Sequence, residues 1–109
     1  MGEIDATFGA LADPARRRVV ELLRERPRRA GELAAAANMS GPAMSRHLRI
    51  LRSSGMVEAH LDDHDARVRV YRLRHERFTD LQAWLDQVHA FWSEQLGAFK
   101  SHVEREREA

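Results

Sequence analysis

Ser40-Gly41-Pro42-Ala43-Met44-Ser45-Arg46-His47-Leu48-Arg49-Ile50-Leu51-Arg52-Ser53 is the stretch whose reading decides the fold. Ser40 can cap a helix N-terminus with its hydroxyl, and Pro42 suits a first helical turn because its absent N–H is not needed there. Gly55 stands just past the far end, where helices often stop on a left-handed residue. Met44, Leu48 and Leu51 recur at i, i+4, i+7, which lays one apolar stripe along the helix. The opposite side carries Ser45, Arg46, Arg49 and Arg52. A short helix with one apolar and one cationic face suits a place between a protein core and a polyanion, as a DNA recognition helix does.

The residues just before this stretch supply its partner. Ala30 to Ala37 reads as a short helix with Leu33, Ala34 and Ala37 facing inward, the alanines permitting close approach. Asn38 tolerates the left-handed turn conformation, and Met39 plugs the core beside it. Two short helices about a tight turn, the second basic and outward-facing, make a helix-turn-helix. Upstream, Asp13-Pro14 opens another helix that runs to about Glu25 and buries Val19, Val20, Leu22 and Leu23. Its Arg16-Arg17-Arg18 cluster has two readings, phosphate contact or a solvated face paired with Glu21 and Glu25. Pro27 ends that helix, and Arg28-Arg29 forms a very short strand. Glu3 to Leu11 is a short first helix with Ile4, Phe8 and Leu11 at i, i+4, i+7.

Beyond Gly55 the period changes. Met56-Val57 on one side and Val68, Val70 and Tyr71 on the other flank a polar tip, Asp62-Asp63-His64-Asp65-Ala66. Arg67 to Arg72 largely alternates, so the segment is a β-hairpin, and a hairpin after a helix-turn-helix is a wing. Arg67, Arg69 and Arg72 can reach phosphates, whereas the tip aspartates would be repelled by them. His60, Asp62, Asp63, His64 and Asp65 also allow a local metal cluster, set against the plainer reading of a solvated tip.

The last element is long. Phe78, Leu81, Leu85, Val88, Trp92, Leu96, Phe99 and Val103 step by 3, 4, 3, 4, 4, 3, 4, a helical stripe about 25 residues long. Trp84 and Phe91 widen it. So small a domain cannot cover that length, and the simplest cover is the same helix of a second copy. An aromatic ligand pocket lined by Trp84, Phe91 and Trp92 is the alternative. The Glu104-to-Glu108 end is expected to fray.

Composition sets the outer bounds. With 109 residues, 43% hydrophobic and 32% charged, the chain is expected to be one globular domain, 1–109. Within it, 14–74 would be the DNA-binding core, with wing 57–74. The segments 4–12 and 77–105 would be dimerisation helices. No apolar run approaches a membrane span and no signal peptide shows, so a cytoplasmic location is the default expectation. Cysteine is absent, which excludes disulfides and thiolate ligands. Net charge is only +1, but residues 14–74 hold fourteen basic against seven acidic side chains, and each flank is net −3. A basic middle between acidic ends is the footprint of a phosphate-facing segment. No nucleophile, phosphate loop or carboxylate pair points to an enzyme, because the serines lack recognisable partners and Gly9, Gly31 and Gly41 form no loop motif.

Four segments together resemble the arsenic-repressor (ArsR) family of winged helix-turn-helix regulators. They are Phe8 to Arg18, Gly31-Glu32-Leu33-Ala34, Pro42-Ala43-Met44-Ser45-Arg46-His47-Leu48 and Leu51 to Val57. The resemblance spans about residues 4 to 100 and is most specific in Ser45-Arg46-His47-Leu48. It implies a mostly α fold of about five helices plus a small hairpin, joined as a homodimer through the first and last helices. It also implies binding to an imperfect DNA palindrome, usually to repress a promoter. The long aromatic last helix resembles the autorepressor-like branch. The family's metal sites are not reproduced: Ala34 to Ala37 offers no thiolate, Asp80 is followed by Gln82, and the later positions are Ser93 and Leu96. Asp86, His89 and His102 remain as an improvised set, so no metal and no cofactor is expected.

The functional expectation is a homodimeric regulator on double-stranded DNA, with no membrane partner. The DNA-facing set is Ser40, Gly41, Pro42, Ala43, Ser45, Arg46, His47, Arg49, Arg52, Arg67, Arg69 and Arg72. Ser40, Ser45, Arg46 and His47 would reach base edges, with capping or packing as the other reading of His47. The remaining arginines would hold phosphates. The dimer set is Ile4, Phe8, Leu81, Trp84, Leu85, Val88, Phe91, Trp92, Leu96 and Phe99. The alternative is a sensor whose last helices bind a small apolar effector or a protein antirepressor.

Overall fold

Five helices and three strands follow one another as α1 (Glu3–Leu11), α2 (Pro14–Glu25), β1 (Arg28–Arg29), α3 (Ala30–Ala36), α4 (Gly41–Ser53), β2 (Val57–Leu61), β3 (Arg69–Leu73) and α5 (Glu76–Glu108). The structure is a computed structural model and describes residues 2–108. The chain divides after Phe78 into two compact units.

Local chemistry explains where the helices of the first unit begin and stop. The Asp13 carboxylate accepts from the Ala15 and Arg16 amides at 2.7 and 3.3 Å, satisfying two donors that the first turn of α2 leaves open. Ser40 Oγ accepts from the Ala43 amide at 3.2 Å and caps α4 in the same way. Glu32 Oε1 takes the Arg29 amide at 3.2 Å, fixing the entry to α3. Asn38 at φ 53° reverses the chain between α3 and α4, as its residue type predicts. Gly55 at φ 78° ends α4, and a Cβ there would lie 3.1 Å from Arg77 Nε.

The hairpin becomes a three-stranded antiparallel sheet in the order β1-β3-β2. Val57 faces Leu73, Glu58 faces Arg72 and Ala59 faces Tyr71, while the two-residue β1 adds Arg28 opposite Tyr71. Arg28 ties this edge to α2 through the Leu22 carbonyl at 3.2 Å and Glu25 at 2.7 Å.

Helices and sheet close over one core. Val19, Leu22 and Leu23 of α2 meet Leu33 and Ala34 of α3, Met44, Leu48 and Leu51 of α4, and Met56, Val57 and Tyr71 from the sheet side. Val20, Ala37 and Met39 are only partly buried at its edge. One difference from the sequence pattern lies in α1. Its buried residues are Thr7 and Ala10, and the apolar stripe begun by Ile4 and Phe8 is left half-buried to exposed. Small side chains let α1 approach α2 closely, and Thr7 satisfies its hydroxyl on the Glu3 carbonyl at 3.0 Å.

The second unit is the rest of α5. Its aromatic stripe is largely in solvent: Trp92 is 58% exposed, Leu96 62% and Phe99 68%. The helix does not fray at its charged end but continues to Glu108. Glu and Arg are good helix formers, and His102 meets Glu106 at 3.2 Å one turn on. None of the helices among the described residues is long and apolar enough to cross a membrane.

Two outcomes test this packing. Leu51, fully buried, is expected to lose about 2–5 kcal/mol on replacement by Ala in chemical denaturation, and a loss under about 1 kcal/mol would contradict its place in the core. Asp13 titrates below its ordinary value: desolvation raises it, but the Ala15 and Arg16 amides and the charges of Arg16 and His47 outweigh that. Its stabilising contribution is therefore present above the ordinary aspartate range and lost as pH falls through the lowered folded-state value. Asp13→Asn keeps a capping oxygen without the charge, so its melting temperature should fall less steeply on acidification than that of the native chain. Equal slopes would contradict the assignment.

Candidate nucleic-acid interface

The rotation of α4 is settled by its buried face. Met44, Leu48 and Leu51 are 0%, 2% and 0% exposed, so Ser45, Arg46, Arg49 and Arg52 are turned to solvent. Arg46, Arg49 and Arg52 make no ion pair or hydrogen bond within the described residues. No Asp or Glu occurs between Leu33 and Val57, which leaves them no neighbour in sequence to neutralise them. Three free guanidiniums on one face have the charge and geometry that a polyanion site requires. The N-terminal end of α4 is also open, with Ser40, Gly41 and Pro42 exposed and Ala43 half-buried, so its partial positive charge adds to the same surface. Ser40 Oγ is engaged as the cap.

His47 sits apart from these. It is half-buried, and its Nδ1 lies 3.4 Å from Arg16 Nη1. Arg16 is not a surface cation: its side chain is 14% exposed, and Nε and Nη2 donate to the Ala10 and Gly9 carbonyls at 2.7 and 3.2 Å. The Arg16-Arg17-Arg18 cluster thus splits. Arg17 donates to the Leu11 carbonyl at 2.7 Å, and Arg18 is exposed without an internal partner among the described residues. Glu21 and Glu25 pair with Arg24 and Arg28 instead, at 3.0 and 2.7 Å.

The wing is largely self-neutralised. Arg67 makes a two-pronged contact to Asp65 at 3.1 and 3.2 Å, and hydrogen bonds from Arg67 hold that carboxyl below its usual range. Arg72 Nε donates to Glu58 at 2.7 Å, with His60 Nε2 at 2.9 Å on the same oxygen, and the two depress Glu58 likewise. Asp62 is taken by Arg29 at 3.0 Å. Arg74 pairs with Glu76 at 3.5 Å, so of the four wing arginines Arg69 alone has no internal partner among the described residues. The acidic tip is therefore less repulsive than the bare sequence implies, and the wing cations are less available.

No three His, Cys, Asp or Glu side chains among the described residues gather as a metal site. Asp86 accepts from Gln82 at 2.8 Å, and His102 is turned to Glu106. Periodicity missed Ile50, which is 38% exposed and lines a shallow apolar recess of about 400 Å³ with Ala6, Gly9, Ala10, Arg49, Ser53 and Ser54.

This geometry has close relatives. Residues 13–59 match the family described as bacterial regulatory protein, arsR family. The HTH-type transcriptional regulator Rv2034 of Mycobacterium tuberculosis is 34% identical over 102 residues, covering 94% of this chain and 90% of that one. Among solved structures, the ArsR family transcriptional regulator RHA00566 has a TM-score of 0.76 at 34% identity, over 84% of this chain and 98% of the other. The homodimeric winged helix-turn-helix DNA-binding domain Mb0332 of Mycobacterium bovis has a TM-score of 0.64 at 27% identity, over 85% and 83%. With a regulator's helix-turn-helix, a wing and relatives spanning nearly its whole length, the chain belongs to the ArsR family of transcriptional regulators.

Proposed function

We propose that this chain binds operator DNA as a homodimer, each α4 in a major groove, and represses by occupying a palindromic site in a promoter. The observation that carries this is the pairing of a fully buried apolar face of α4 with three unpartnered guanidiniums on its other face. Arg46, with Ser45 and His47, reads base edges, since a guanidinium can bond guanine O6 and N7 together. Arg49, Arg52 and Arg69 hold phosphates. Arg67 and Arg72 join them only by giving up Asp65 and Glu58, so their share is smaller.

The dimer reading rests on large apolar side chains that stay substantially exposed. Trp84, Leu85, Phe91, Trp92, Leu96 and Phe99 are all at least 38% exposed along α5, and Leu81 and Val88 are half-buried on the same helix. In the other unit, α1 leaves Ile4 half-buried and Phe8 42% exposed. A contiguous aromatic stripe of this size is an interaction surface, and a second copy covers it by symmetry. The Mycobacterium bovis relative is homodimeric, which supports the same assembly here. Operator binding places the protein in the cytoplasm. An apolar effector that entered the α5 aromatic seam would act by changing the spacing of the two recognition helices.

Selection of bound duplexes from a random library, repeated over a salt series, tests the proposal. It should return a palindrome with half-sites about one turn, ~34 Å, apart. Arg46→Ala should relax preference at one base pair per half-site by about 1–3 kcal/mol, whereas Arg52→Ala should weaken all duplexes alike and lower the salt slope by about 1. Loss of affinity in the same sequence-blind manner for both would contradict the division of roles. Glu58→Gln, which releases Arg72, should strengthen binding and steepen the salt slope; unchanged binding would show that the wing does not approach phosphate.

A further inference from the structure

Arg16 lies behind the recognition helix and cannot touch a duplex placed against Arg46 and Arg49 unless it abandons a nearly closed pocket. Its side chain is 14% exposed. Nε is bonded to the Ala10 carbonyl at 2.7 Å, Nη2 to the Gly9 carbonyl at 3.2 Å, and Nη1 lies 3.8 Å from the Asp13 carboxylate. These bonds hold the guanidinium plane between α1, α2 and α4. The remaining direction of Nη1 meets His47 Nδ1 at 3.4 Å.

A guanidinium can only donate. The ring nitrogen that it faces must therefore accept, so His47 carries its proton on Nε2. We propose that Arg16 is a positioning residue for DNA recognition: it fixes the tautomer of His47, so that α4 offers an Nε2–H donor to a hydrogen-bond acceptor on the operator. The proposal rests on the DNA-binding reading given above. With the other tautomer the same ring would present a lone pair and would select a donor, such as the amino group of adenine or cytosine. Arg16 thus sets the sign of the contact without making it. The acceptor is guanine O6 or N7, adenine N7, thymine O4, or a phosphate oxygen; these share one chemistry and differ in whether base preference changes when the contact is lost.

The same guanidinium links the reading residue to α1. Its two strongest anchors are backbone carbonyls of α1, so the placement of that helix and the state of His47 depend on one side chain. Asp13, whose charge also acts on His47, is engaged elsewhere: one carboxylate oxygen lies 3.8 Å from Arg16 Nη1 and the other caps α2.

The test has two arms on the full chain. Long-range nitrogen–proton correlation spectra at neutral pH should show His47 as the Nε2–H tautomer, and Arg16→Gln should convert it to a mixture. A dominant Nδ1–H form in the native chain, or an unchanged tautomer in Arg16→Gln, overturns the proposal whether or not DNA binds. The second arm is a double-mutant cycle on the selected operator. His47→Gln places an amide donor near Nε2 that needs no tautomer setting. Arg16→Gln should weaken binding by about three- to tenfold in the native background and have little effect in the His47→Gln background. An equal loss in both backgrounds means that Arg16 acts through general stability and overturns the positioning role. A loss confined to one base pair identifies a base-edge acceptor; a uniform loss identifies phosphate. A native chain that binds no duplex while keeping the Nε2–H tautomer removes the DNA-binding reading, and with it the recognition half of the proposal.

Discussion

Everything outward on α4 depends on how its inner face is seated. Met44, Leu48 and Leu51 lie against α2, α3 and the sheet with almost no exposure. An α-helix turns about 100° per residue, so fixing those three positions fixes the azimuth of every other side chain. The cost of rotating the helix is the exposure of three large apolar groups, each worth about 1.5–3 kcal/mol. The arginines therefore need no interaction of their own to point at solvent. Their direction is a by-product of core packing, which leaves their charges free for a partner.

What separates a candidate DNA contact from a structural cation is whether it is already engaged. The chain carries eighteen basic residues, and counting them predicts little. Arg16, Arg17 and Arg28 bond backbone carbonyls and serve as struts between elements. Arg67 and Arg72 are held by Asp65 and Glu58. Arg46, Arg49, Arg52 and Arg69 are not held at all by the described residues. An engaged guanidinium must give up a charge-assisted bond before it meets phosphate, and a free one gives up only water and rotamer freedom. In the proposed complex this gradient concentrates the interface on α4 and gives the wing a lesser role than its arginine content implies.

Much of the architecture was legible because its signals are local. Asp13-Pro14 and Ser40 mark helix starts, Asn38 and Gly55 mark reversals, and the Met44, Leu48 and Leu51 stripe marks the seated face; the structure places each where the sequence does. Features that were not legible depend on distant or register-dependent partners. Glu58 meets Arg72 only because the strands pair with those residues opposite, and the turn length that sets this register is not encoded in either residue. The contact of Arg16 with His47 joins positions 31 residues apart through tertiary packing. In α1, periodicity marks Ile4 and Phe8, yet the core takes Thr7 and Ala10, because proximity to α2 rewards small side chains rather than apolar ones. The apolar stripe that periodicity did find is left facing outward, as on α5, and in the proposed dimer a second copy covers it.

The contrast between free and engaged cations is also the point most directly open to measurement. Titrating the full chain with duplex DNA while following each arginine Nε–Hε resonance reads every guanidinium separately. Arg46, Arg49 and Arg52 should shift first and furthest, with Arg67 and Arg72 nearly unmoved. Dominant shifts at the wing arginines, with those of α4 unchanged, would contradict the assignment of α4 as the DNA-facing surface.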